Sequence, residues 1–222
     1  MADQRDHQQD SLFREIDEEL RQEHYAKLWG KYGNVIIGAA VALVLGVAGY
    51  QGWHHYDVTT RQEQGSRFAQ ALEEASKDPA KGAQEFAALA KDGTAGYALL
   101  AKLQEAGLKA RSGDPNGAVA LYDAVIADGG IDKVYRDLAL LQRVMVQMDG
   151  GDPAALLAEL APLTDAGSAW RHSARELSAV LALKTGDTAK AVDLLRGLAE
   201  DSATPPDMRE RAGELLAHLG KD

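Results

Sequence analysis

The chain has 222 residues, no cysteine and a formal net charge of −10, with 45% apolar and only 6% aromatic residues. That apolar share suits a folded protein. The missing cysteine excludes disulfides, thiolate metal sites and cysteine nucleophiles, and an acidic chain without a Lys/Arg stripe lacks the counter-charge that nucleic acid demands. Ala, Leu and Gly dominate while β-branched and aromatic runs are scarce, which favours helices packed through small residues.

Residues 1–33 read as a short tail. Asp10 or Ser11 is placed to cap a helix. Leu12, Phe13, Ile16 and Leu20, with His24 and Leu28 beyond them, mark one face at helical spacing, and Glu15, Asp17, Glu18, Glu19 and Glu23 fill much of the remainder. This helix either continues into the next segment or breaks at Gly30 and Gly33. Its apolar stripe suits a cytoplasmic partner and a bilayer surface equally.

Residues 34–56 form a transmembrane helix on this reading. No Asp, Glu, Lys or Arg occurs from Tyr32 to Tyr56, a run of 25 residues. As a helix that run is roughly 37 Å long, and a bilayer core needs only about 20 residues. Trp29 and Tyr32 precede it, and Tyr50, Trp53 and Tyr56 close it, aromatic residues of the kind that settle at headgroup level. A buried core helix would rarely be apolar on every side for so long. A cleaved signal peptide carries a short basic leader, whereas 33 polar, acidic residues stand in front here. Arg21, Lys27 and Lys31 lie before the segment and Arg61 and Arg67 after it, a one-residue excess that favours a cytoplasmic N-terminus. Gly38, Ala42 and Gly46 recur every four residues and would let a second helix approach, although small residues are common in any membrane helix. His54 and His55 point about 100° apart on a helix and do not converge on a metal.

From residue 57 to 222 the pattern is helix, short turn, helix, repeated. The turns are SKDPAKGAQEF, SGDPNGAVALY, GGDPAALLAEL and TGDTAKAVDLL, and their aspartates, Asp78, Asp114, Asp152 and Asp187, are separated by 36, 38 and 35 residues. Each aspartate is a plausible N-cap, with Pro79, Pro115 and Pro153 then at the first helical position. Gly113, Gly151 and Gly186 precede three of them, suited to end the previous helix in a left-handed conformation. A period near 35 with a helix–turn–helix inside marks a helical solenoid. Ala106 and Ala179 lie eight residues before their turn aspartates, and Ala118 and Ala191 four after, where paired helices cross closely. Val144 and Leu156 replace these small residues in the third pair, and Pro162 shortens its second helix. A last helix near Pro206–Leu219 closes the stack.

No glycine-rich phosphate loop, GxSxG or HExxH motif is present. His172, beside Arg171, Arg175 and Glu176 on an amphipathic helix, reads as a surface or groove residue rather than a general base. The regular carboxylates are explained by capping. The chain is thus expected to be an interaction module with no catalytic, cofactor or metal site. Its candidate contacts are Tyr97, Lys102, Tyr135, Arg136, Arg143, Trp170 and Arg171, on the first helices of the pairs, which in such solenoids usually line the concave side. Aromatic residues and Arg are favoured at hot spots, although core packing or plain solvation is the plainer account of each.

The solenoid resembles the tetratricopeptide-like class. With its acidic tail and single anchor, the whole resembles the YfgM family, the ancillary subunit of the bacterial Sec translocon. The likeness lies in YGNVIIGAAVALVLGVAGYQGWHHY, EFAALAKDGTAGYALLAKLQEA, LALLQRVMVQM and SAWRHSARELSAVLALKTGDTAKA, taken in order and spacing from about Leu12. The tail is longer than the family leads one to expect. The resemblance implies an all-α, non-enzymatic protein of the bacterial inner membrane with its N-terminus in the cytoplasm and its repeats in the periplasm. Its partners would be Sec translocon subunits, a membrane-anchored periplasmic chaperone or prolyl isomerase, and unfolded secreted or outer-membrane proteins. The alternatives are a scaffold of another envelope complex and a membrane regulator acting through its cytoplasmic tail.

Overall fold

The computed structural model describes the backbone of residues 3–220 and the side chains of residues 26–220. The described residues form nine α-helices and no strand. They divide into two compact units, Met1–Thr60 and Arg61–Asp222.

Among the described residues the first unit holds one element, α1 (Asp3–Lys77), which also supplies the first helix of the second unit. It begins seven residues before Asp10, so Asp10 and Ser11 lie inside it rather than capping it. It runs through Gly30 and Gly33 without a break. The stripe from Leu12 to His24 lies outside the described side chains. Around the apolar run the helix is exposed on every side: Val35, Leu43, Val44 and Leu45 are all more than 60% exposed. The most apolar window between Ala26 and Lys77 has mean hydropathy 1.9 and is only 6% buried. A core helix of a soluble fold would bury that window. This segment is long and apolar enough to cross a membrane.

The second unit is built from α1 with α2 (Pro79–Asp92), α3 (Ala95–Arg111) with α4 (Pro115–Ala127), α5 (Lys133–Gln147) with α6 (Pro153–Leu160), α7 (Arg171–Lys184) with α8 (Thr188–Glu200), and a closing α9 (Pro206–Leu219). The turn aspartates set the frame. Asp78 accepts from the Ala80 and Lys81 amides, Asp114 from Gly117, Asp152 from Ala154 and Asp187 from Lys190, at 2.8–3.2 Å. Each satisfies a donor that the first helical turn leaves orphaned. Asp132 does the same for α5 through Val134 at 3.0 Å. Gly113 and Gly186 take φ of 86° and 79° and end α3 and α7 as expected of left-handed glycines. Gly151 does not. Its amide instead bonds the Gln147 carbonyl at 2.7 Å with φ in the ordinary range.

Counting from each turn aspartate exposes the repeat. Eight residues on stand Phe86, Tyr122, Leu160 and Leu195, and eleven on stand Leu89, Val125, Leu163 and Leu198, all 0–1% exposed. The spacing puts both on the buried face of the second helix, except that Leu163 falls in the short 3₁₀ turn that follows α6. Burying one such side chain contributes roughly 1.5–3 kcal/mol. Four residues on, Gly82, Ala118 and Ala191 let the helices of their pairs meet closely, while Leu156 holds the third pair apart. Thirteen residues before, a further small slot holds Gly65, Ala101, Ala139 and Ala174. Pro162 sits in a single 3₁₀ turn, Ala161–Leu163, that ends α6 early, because proline cannot supply the next helical hydrogen bond. α5 and α6 accordingly approach less intimately than α3 and α4 or α7 and α8.

Candidate protein-binding surface

The periodic frame relates the candidate contacts to one another. Tyr97, Tyr135 and Trp170 each stand seventeen residues before a turn aspartate, so they occupy one slot in three successive repeats. Arg136 and Arg171 follow Tyr135 and Trp170 directly. This slot falls in the first turn of α3 and α5 and at the N-cap of α7.

Tyr97 is half-buried and packs on Phe68, ring centroids 6.1 Å apart. Its hydroxyl lies 2.8 Å from where a Gly65 Cβ would stand, so a larger residue there would require the tip of the tyrosine ring to shift. Tyr135 is 41% exposed. The Trp170 indole N–H donates to the Val134 carbonyl at 2.8 Å, which ties the start of α7 to the first turn of α5. That bond brings Tyr135, Arg136, Trp170 and Arg171 to one end of adjacent first helices. Arg136 and Arg171 are half-buried, and the Arg136 Nε has no hydrogen-bond partner. Lys102 is half-buried further along α3. A cavity of about 460 Å³ opens beside this group, lined by Asp132, Asp137, Pro162, Asp165 and Ser168 among others.

Arg143 belongs elsewhere. It lies two turns further along α5 and pairs with Asp123 of α4 at 2.7 Å and with Glu159 of α6. It ties the second helices of two successive pairs together. In the first unit Gly38, Ala42 and Gly46 are exposed, and nothing stands within 4 Å of a Cβ at either glycine. Lys31 lies over the Tyr32 ring at 5.4 Å at the start of the apolar run.

His172 is not the surface residue its amphipathic helix suggests. It is 7% exposed, because the turn between α8 and α9 covers this side of α7. Its Nε2 lies 3.5 Å from Asp201 Oδ2, too long for a good hydrogen bond, and the nearby loop residue Thr204 has a buried Oγ1 without a partner. Burial, and then Arg171 and Arg175, hold its pKa below the usual 6.5 against the opposing pull of Asp201. Glu105, also missed by sequence reasoning, is 9% exposed, and burial raises its pKa above the usual 4.5. Among the described residues no cluster of three or more His, Asp or Glu is arranged to hold a metal.

The surface is thus a periodic set of aromatic and cationic side chains on a rigid helical frame. It suits contact with another polypeptide better than chemistry on a small molecule. No curated protein matches the chain. A family model described as a tetratricopeptide repeat-like domain matches residues 26–196, taking in the apolar run and the four helix pairs as far as α8.

Proposed function

The chain belongs to the tetratricopeptide repeat-like domain family, and from that premise we propose that it is a non-enzymatic, membrane-anchored interaction protein that works beside the Sec translocon of a bacterial inner membrane. Residues 34–56 cross the membrane, residues 1–33 lie in the cytoplasm and residues 57–222 lie in the periplasm. The repeats hold emerging secreted or outer-membrane polypeptides and pass them to a membrane-anchored chaperone.

One observation carries the interaction reading: the aromatic slot recurs in three successive repeats, with Tyr135 exposed and Arg136 and Arg171 beside it. Tyr97 and Lys102 extend that contact line along α3. Trp170 closes the line with its indole N–H engaged within the domain, and Arg143, two turns further along α5, holds the second helices together through its two terminal nitrogens. The family match supports reading the anchor together with the repeats, because it starts at residue 26 and takes in the apolar run. The translocon assignment rests on the resemblance of the anchor and repeat stretches to the YfgM family, and the orientation on the excess of Arg21, Lys27 and Lys31 before the span. Gly38, Ala42 and Gly46 offer a translocon helix a close approach. A tether raises the effective concentration of the repeats at the exit site, so weak contacts suffice and clients still leave.

Gentle solubilisation of native membranes followed by affinity purification of the full chain tests this. Translocon subunits and a periplasmic chaperone are expected to co-purify. Recovery of a different envelope complex without translocon subunits would sink the assignment and leave the family.

A further inference from the structure

The residue two places after each turn aspartate is Ala80, Ala154 and Ala189 in three pairs and Asn116 in the second. Gly117 follows it, where the other pairs carry Lys81, Ala155 and Lys190. Asn and Gly are weaker helix formers than Ala or Lys, so the first turn of α4 departs from the local rule that its sister turns keep. Asparagine occurs otherwise only as Asn34, where branched Val35 follows. An Asn–Gly step is chemically labile, because the glycine amide nitrogen, with no Cβ beside it, turns freely toward the asparagine Cγ.

Two features hold that step inert in the folded domain. Asn116 and Gly117 stand inside α4, where helical ψ keeps the Gly117 nitrogen turned away from the Asn116 side chain. The Gly117 N–H also donates to Asp114 Oδ1 at 2.8 Å, so the nitrogen that would attack is engaged by the cap. Asp114 is fixed in turn by Lys109, whose Nζ lies 3.3 Å from Oδ2. The Gly117 amide and then Lys109 hold the Asp114 carboxyl below its usual 3.8, so it remains an acceptor from mildly acid to alkaline pH. Asn116 itself is exposed to water.

We propose that Asn116 is a deamidation site of the repeat domain, kept latent by the Asp114 cap and released when the first turn of α4 opens. On opening, the Gly117 nitrogen gives up its proton to hydroxide and bonds Asn116 Cγ. The Cγ–Nδ2 bond breaks, and the departing nitrogen takes a proton from water and leaves as ammonia. Water then opens the five-membered ring at either carbonyl, giving aspartate or isoaspartate. Isoaspartate adds one carbon to the main chain, so Asp114 can no longer cap Gly117 in the same geometry and the turn does not re-form as it was. Ageing of the domain therefore begins at the second pair. The site lies apart from the aromatic line, and the inference stands whatever polypeptide the repeats hold.

The test incubates the full chain in lipid nanodiscs at mildly alkaline pH and follows the mass gain and the isoaspartate at Asn116 by mass spectrometry of its digest. The reference is the end-blocked peptide SGDPNGAVALY under the same conditions, and each variant is read against its matching peptide. The folded chain is expected to react more than about tenfold slower than the peptide, since the turn must open first. Asp114→Ala should raise the rate about fivefold, the change in open population that one lost cap brings. Asp114→Ser, which caps again, should restore protection. Asp187→Ala removes the corresponding cap of α8 and should leave the Asn116 rate unaltered. A folded chain that reacts as fast as the peptide, or an Asp114→Ala chain no faster than the unaltered one, overturns the inference. So does equal acceleration by Asp187→Ala, which would assign the gate to unfolding of the whole domain.

Discussion

Gly82 carries a packing constraint that its residue type alone does not reveal. An added methyl would collide with the Cβ and Cα of Ala75 and stand 2.7 Å from the Ala75 nitrogen. Backbone cannot move aside cheaply, so this clash outweighs the roughly 1 kcal/mol that alanine gains over glycine in a helix. Gly82→Ala should destabilise the repeat domain by about 2 kcal/mol. Gly197, mid-way along α8 with nothing within 4 Å of a Cβ, should show the opposite sign, gaining about 0.5–1 kcal/mol as alanine. Urea unfolding of both variants reads the difference. His172 gives a pH dependence. Its folded pKa is lowered, chiefly by burial, so the unfolded chain takes up the proton first as pH falls. The stability from the neutral ring is present in full above the unfolded value of about 6.5. It is lost as pH falls from there through the lowered folded value. Thermal melts between about pH 5 and 8 should show that loss in the unaltered chain and a flatter profile in His172→Gln. Identical profiles would contradict it.

At the scale of elements, the turn aspartates hold the solenoid in register. Asp187 accepts the Lys190 amide at 3.0 Å and starts α8. Asp187→Ala should cost about 1 kcal/mol and Asp187→Asn much less, since asparagine caps equally well. A urea midpoint unchanged in the alanine variant would deny the cap its role. These caps were legible because an Asp-Pro or Gly-Asp pair announces a helix start locally. The shortening of α6 at Pro162 was legible for the same reason. The slot of Gly65, Ala101, Ala139 and Ala174 was not, because small residues are everywhere in this alanine-rich chain and only the packing marks which ones matter. Gly151 was misread, since a glycine before an aspartate suits two turn geometries and the Gln147 carbonyl selects the one without positive φ. The burial of His172 was also hidden. Its own helix is amphipathic, and what covers it is a turn some thirty residues later in the chain.

At the scale of the whole molecule, the exposed apolar run is long and apolar enough to cross a membrane, and under the proposed function it attaches the repeats that make the contacts. The run was legible in sequence because a bilayer demands an uninterrupted apolar length. The repeats were legible because their period is set by turns. Of the residues proposed for contact, Tyr97, Tyr135 and Trp170 share a slot that emerges once the turn aspartates are aligned, whereas the place of Arg143 is set by Asp123 and Glu159 on other helices. Site-specific photo-crosslinking in native membranes, with probes at Ala42 and Tyr135 and adducts read by mass spectrometry, tests the central claim most directly. The expected result is translocon subunits at Ala42 and secreted polypeptides or a chaperone at Tyr135. Adducts to an unrelated envelope complex at both positions, with translocon subunits absent, would contradict it.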